Sequence, residues 1–174
     1  MADVAVTDLD LRFGECRDGE LKEGEANAEP IEFDHLDSKI SGWLTDLLDW
    51  AQKNPYALAA ISHMTLIWAV AETGEIRICI EQSCNADFPE KRFPRSRNVE
   101  YPRSFHHLGH PMLVDGARAR ISGELYLDQE GEEFIWTLSN KSGRFGFDRK
   151  LEHLINVSDE FQALGVYVKL QFLA

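Results

Sequence analysis

His106, His107 and His110 fall inside the ten residues SFHHLGHPML, although the whole chain holds only six histidines. Their ordinary pKa lies near neutrality, so a histidine here suits general acid–base work. Shortly after them comes Arg118 to Leu127, RARISGELYL. In a strand every second residue lines one face, with neighbours roughly 7 Å apart. If Ile121, Leu125 and Leu127 point inward, Arg118, Arg120, Ser122, Glu124 and Tyr126 form the opposite face. A glutamate among arginines pairs an acid or base with an anion clamp, as phosphate-ester chemistry and nucleotide binding require. The same row also suits an exposed strand face carrying cross-strand ion pairs.

Further on, SNKSGRFGF (Ser139 to Phe147) offers Ser142, Gly143 and Arg144 in a turn whose backbone N–H groups can face an anion. It lacks the spacing of a P-loop. Gly and Ser also dominate ordinary turns. The histidine spacing matches no zinc signature: HExxH and paired cysteine ligands are both missing. No metal and no cofactor are therefore expected. As an enzyme site, the chain would use Glu124 with His106 or His110 as the catalytic groups. Arg118, Arg120, Ser122, Tyr126, Ser142 and Arg144 would hold the ligand.

Such residues need a scaffold. With 174 residues, 44% apolar and 28% charged, one globular domain with one sizeable core is expected over 1–174. Ile40, Trp43, Leu44, Leu47, Leu48 and Ala51 form one helical stripe, with Asp37 or Ser38 as cap and Asn54–Pro55 as stop. MTLIWAVA and EIRICIEQ read as a hairpin, and ARARISGELYLD with EFIWTLSNKSG as a second. Between them, residues 85–117 carry four prolines and read as a long irregular segment. DRKLEHLINVSDEFQALG reads as a helix capped by Asp148 and ended by Gly165, and VYVKLQFLA as a last strand. The expected fold is α+β: an antiparallel sheet of about five strands, two hairpins plus a C-terminal strand, with two helical segments packed on it.

Charge is unevenly spread. The net charge is −12, and residues 1–50 hold fourteen acids against four bases. Residues 14–35 are acidic, with three glycines and little periodicity, so a loosely ordered N-terminal arm is expected at about 1–35. Residues 91–120 run the other way, with seven bases against two acids. No apolar run approaches the roughly 20 residues of a membrane span. No basic start precedes an apolar stretch, and three cysteines without a CxxC fit free thiols. A cytoplasmic location is expected. The overall charge disfavours bulk nucleic-acid binding.

The span from Gly109 to Phe147, with its GHP element, its GE strand and SNKSGRF, resembles a small module of bacterial polymorphic toxin, effector and immunity systems. The related pattern often has His and Tyr where this chain has Arg144 and Phe145. The resemblance implies a bacterial protein tied to conflict between bacteria or between phage and host, without implying an activity. Two functions follow. The first is a small acidic binding protein, immunity- or inhibitor-like, that contacts a basic protein partner. The second is an enzyme acting on a phosphate-containing substrate, a nuclease or a nucleotidyl or ADP-ribosyl transferase.

Overall fold

The structure is a computed structural model that describes residues 7–28, 31–97 and 99–174. Parts of the expected arm, residues 1–6 and 29–30, lie outside the described residues. The fold is α+β, with a larger sheet framework than the sequence suggested. Among the described residues are five helices and nine strands, the strands divided between two sheets.

The larger sheet has six strands in the order β1 (Asp34–His35), β3 (Ile76–Ile80), β2 (Thr65–Ala71), β7 (Ala119–Glu130), β8 (Glu133–Ser139) and β9 (Val168–Gln171). Both expected hairpins form, β2 with β3 and β7 with β8. Gly74 and Gly131 take positive φ in their turns, where glycine meets no steric penalty. The last strand departs from expectation. β9 runs parallel to β8, so the sheet is mixed. The intervening helix α5 (Leu151–Ala163) provides the crossover that a parallel pair needs. Its N-terminal flanking residue is Lys150, not Asp148, which takes a left-handed φ of 52° instead. Gly165 ends the turn after it at φ 86°.

Helix α3 (Ser38–Lys53) follows the stripe, and the Asp37 carboxylate accepts from the Lys39 and Ile40 N–H groups. Asn54 ends α3 and caps α4 (Pro55–Ile61), with Pro55 in its first turn. These helices, α5 and the short α1 (Asp8–Phe13) cover one sheet face. The core there contains Phe13, Leu44, Trp68, Ile121, Leu125, Trp136, Leu154 and Phe161.

The opposite face is also covered. Much of residues 85–117, expected to be irregular, is ordered: after β4 (Gln82–Asn85) come β5 (Phe88–Pro94), β6 (Phe105–Leu108) and a 3-10 helix over His110–Val114. The three strands pair antiparallel in the order β5-β4-β6. β5 reads as loop because two prolines and three charges interrupt it, but it is an edge strand, where proline is tolerated. A second core lies here, built from Ile67, Ala69, Cys84, Leu108, Leu113, Val114, Ala119 and Phe145. Because both faces are covered, all seven residues of β2 and residues 119–127 of β7 are buried.

Candidate functional site

β6 separates the neighbouring histidines by simple alternation. It pairs with β4, setting His107 opposite Ser83 and His106 opposite Cys84. His106 and His107 therefore project to opposite faces. His106 lies against Gly24 of α2 (Glu23–Ala26), where a Cβ would sit 2.4 Å from the ring. His107 Nε2 meets Glu81 Oε1 at 2.5 Å, and Arg95 approaches the same oxygen at 3.4 Å. Burial pushes the Glu81 carboxyl up, but the His107 hydrogen bond and the charges of His107 and Arg95 hold it below its ordinary value.

His110 opens the 3-10 helix and is buried. Its Nε2 bonds the Gly123 carbonyl at 2.9 Å. A carbonyl only accepts, so Nε2 carries the proton. Burial drives its pKa down to about 4, against the opposing effect of the Gly123 carbonyl. The ring is thus neutral at neutral pH.

The row expected on β7 is not an exposed face. The β2–β7 register shifts between Ala69 and Ala71, a β-bulge. Ala119 accordingly belongs to one core and Ile121 to the other, though they are two residues apart. Arg120 is buried and bonds the carbonyls of Glu72 and Gly14, each at 3.2 Å, and the Asp10 carboxylate. Asp10 is held at about 2 by the Thr7 backbone N–H and by Arg120. Arg118 reaches Glu72 at 3.1 Å, the Cys16 carbonyl at 3.2 Å and Asp18 at 3.6 Å. Ser122 Oγ is buried with no hydrogen-bond partner among the described residues. Glu124 pairs with Lys141 at 3.1 Å. The Tyr126 hydroxyl donates to Gln171, and Arg97 sits 3.7 Å over its ring.

A cleft of about 450 Å³ gathers four of the nominated residues, His106, His110, Ser142 and Arg144. Lys22, Glu25, Phe105, His107 and Gly143 also line it. Arg144 bonds Glu25 at 2.7 Å, and Glu25 further accepts the N–H groups of Lys22 at 2.7 Å and Gly109 at 3.1 Å. Glu124, Arg118, Arg120, Ser122 and Tyr126 do not line it. Sequence reasoning missed Lys22, Glu25 and Phe105. The first two sit in a stretch with no periodic signal, more than 80 residues from the histidines. Phe105 was detectable only as the aromatic neighbour of the histidine pair.

A larger cleft, about 770 Å³, opens at the edge of the six-stranded sheet. Ile40, Trp43, Leu66, Ile78 and Ile80 form its apolar part, and Glu32 and Asp34 stand at it against one base, Lys39. Trp43, expected in the core stripe, is 36% exposed here. All three cysteines are free thiols. No helix among the described residues is long and apolar enough to cross a membrane. Compared with protein-family models, curated proteins and solved structures, the chain matches none of them.

Proposed function

We propose that this chain is a non-catalytic binding protein, immunity- or inhibitor-like, and that it engages a basic protein partner through the cleft at the sheet edge. The observation that carries this reading is the incomplete edge of β3. Among the described residues β1 pairs only with Arg77 and Ile78, and no described strand pairs with the outer side of β3 from Cys79 onward. An extended partner segment can add to such an edge through main-chain hydrogen bonds. The apolar floor between Trp43 and Ile80 receives an apolar side chain, and Glu32 and Asp34 meet basic flanks. The acid-rich first fifty residues extend the same complementarity.

The catalytic alternative has less support. Glu124 is engaged by Lys141, Arg120 by Asp10, and Arg118 by Glu72, and none of the three lines the cleft that holds His106 and His110. The test is native mass spectrometry of the protein purified gently from its host, as wild type and as Trp43→Ala, Glu32→Lys and Lys141→Ala. The expected result is a stoichiometric basic protein on wild type and Lys141→Ala that is lost from the two cleft variants. A partner indifferent to the cleft variants, or a bare mass for wild type, overturns the proposal.

A further inference from the structure

The outward face of the small sheet is aromatic and basic, unlike the rest of this acidic chain. The register places Ser83, Phe93 and His107 on one side of it, with Asn85 and Phe105 two residues along. The Phe93 and Phe105 rings lie 6.2 Å apart, and Tyr101 lies 5.9 Å from Phe105. Arg95 stands over Tyr101 at 5.8 Å. Phe93 is 45% exposed, although a ring of that size on a sheet face normally finds cover. Phe105 is shared: it belongs to this platform and also lines the 450 Å³ cleft.

That cleft lies beside β6, an end strand of the three-stranded sheet against which α2 packs. Lys22, Ser142, Gly143 and Arg144 line it together with β6. Glu25, the one carboxylate among the described lining residues, is held by two backbone N–H groups and by Nη1 of Arg144, so a phosphate would share the Arg144 guanidinium with it. No heavy atom stands within 4 Å of the Cβ position of Gly143, so its backbone is open to close approach.

We propose that this cleft binds a mononucleotide, with the base against Phe105 and the phosphate between Lys22, Arg144 and the Ser142–Gly143 backbone. A planar base and an aromatic ring stack irrespective of base identity, and Lys, Arg and backbone N–H groups are the usual phosphate partners. The cleft volume suits one small ligand. A long strand is disfavoured because the −12 charge opposes a polyanion beyond the local basic patch. This site does not rest on the protein partner proposed above, and it lies away from that cleft.

The experiment is calorimetric titration of the full chain with AMP, adenosine, inorganic phosphate and a ten-residue oligo-dT. AMP is expected to bind more tightly than adenosine or phosphate alone. Phe105→Leu, which keeps apolar bulk but removes the ring, should weaken AMP by roughly fivefold or more. Lys22→Ala, an exposed position that spares the fold, should weaken AMP and phosphate together. Lys53→Ala, far from the cleft, should leave both unchanged. Absence of AMP binding at about 1 mM, a weak limit for a specific ligand, overturns the proposal. So does AMP binding equal to that of phosphate and insensitive to Phe105→Leu, which would make this an anion site only. Oligo-dT binding far tighter than AMP would replace the mononucleotide with a strand.

Discussion

At the residue scale, His110 shows how burial sets chemistry. Its proton on Nε2 is committed to the Gly123 carbonyl, and the ring is enclosed by the 3-10 helix and β7. Protonating it requires a buried charge, hence the depressed value of about 4 against 6.5 in the open chain. The unfolded chain binds this proton more readily than the folded one between those two values. The contribution is therefore complete above pH 6.5 and is lost as pH falls from 6.5 to about 4. The shift corresponds to about 3 kcal/mol at most. His153, also lowered by burial, acts in the same sense. Urea unfolding at pH 7.5 and pH 5 should show a marked fall in midpoint for the wild type. His110→Gln, whose amide can still donate to Gly123, should show a clearly smaller fall. Equal falls would remove His110 from the acid response. The sequence displayed the three histidines as one cluster. Their division into a ring against Gly24, a partner of Glu81 and a buried donor depends on the alternation of β6, and β6 was hidden among prolines.

At the element scale, β7 is the strand on which the sequence reading turned. Its apolar residues alternate, so one buried face was legible. What was not legible is that the polar residues between them are buried too. A strand covered on both sides usually reads as continuously apolar, as TLIWAVA in β2 does. In β7 the intervening positions are polar, and their burial is made tolerable by specific partners: Asp10 for Arg120, Lys141 for Glu124, Gln171 for Tyr126. Those partners come from distant segments, which no local pattern announces. The bulge then sends Arg120 toward α1 rather than along the row. Helix α3 and the two hairpins were legible because periodicity and turn residues agree locally. Gly123 has its own reason. A Cβ there would lie 1.7 Å from the Ser139 carbonyl oxygen and 2.8 Å from the Asn140 Cα, both backbone atoms that cannot swing away. Gly123→Ala should therefore pry β7 from β8 and cost about 3 kcal/mol or more, at the upper end for overpacking. Gly131→Ser, whose Cβ position is open but whose φ is positive, should cost far less. Chemical denaturation of the two variants checks the order, and a similar small loss in both would contradict the close approach.

At the scale of the molecule, the acidic N-terminal stretch is where composition and structure diverge most. Low periodicity and high charge pointed to a loose arm that attracts a partner. In the structure, Phe13 is enclosed in the helix-side core and Arg17 pairs with Ala119 on β7. Arg120 and Arg149 donate hydrogen bonds to the carbonyls of Gly14 and Glu15, and Arg120 also meets Asp10. Asp10, Asp18 and Glu25 have basic partners in Arg120, Arg118 and Arg144, so the basic residues that looked like a phosphate clamp are in part the counterparts of this segment. Deleting residues 1–22 should then do more than lower the charge. It removes a buried phenyl ring and leaves two buried guanidinium groups short of acceptors. The combined cost is about 4 kcal/mol or more. For a chain of this size that corresponds to a fall in Tm of roughly 10 °C or more. Calorimetry of the truncated and full chains gives the answer. An unchanged Tm would mean that the segment is only an electrostatic lure. A large fall, with the Phe13→Ala substitution alone reproducing part of it, would mean that the body of the protein is completed by the stretch whose composition looked least like structure.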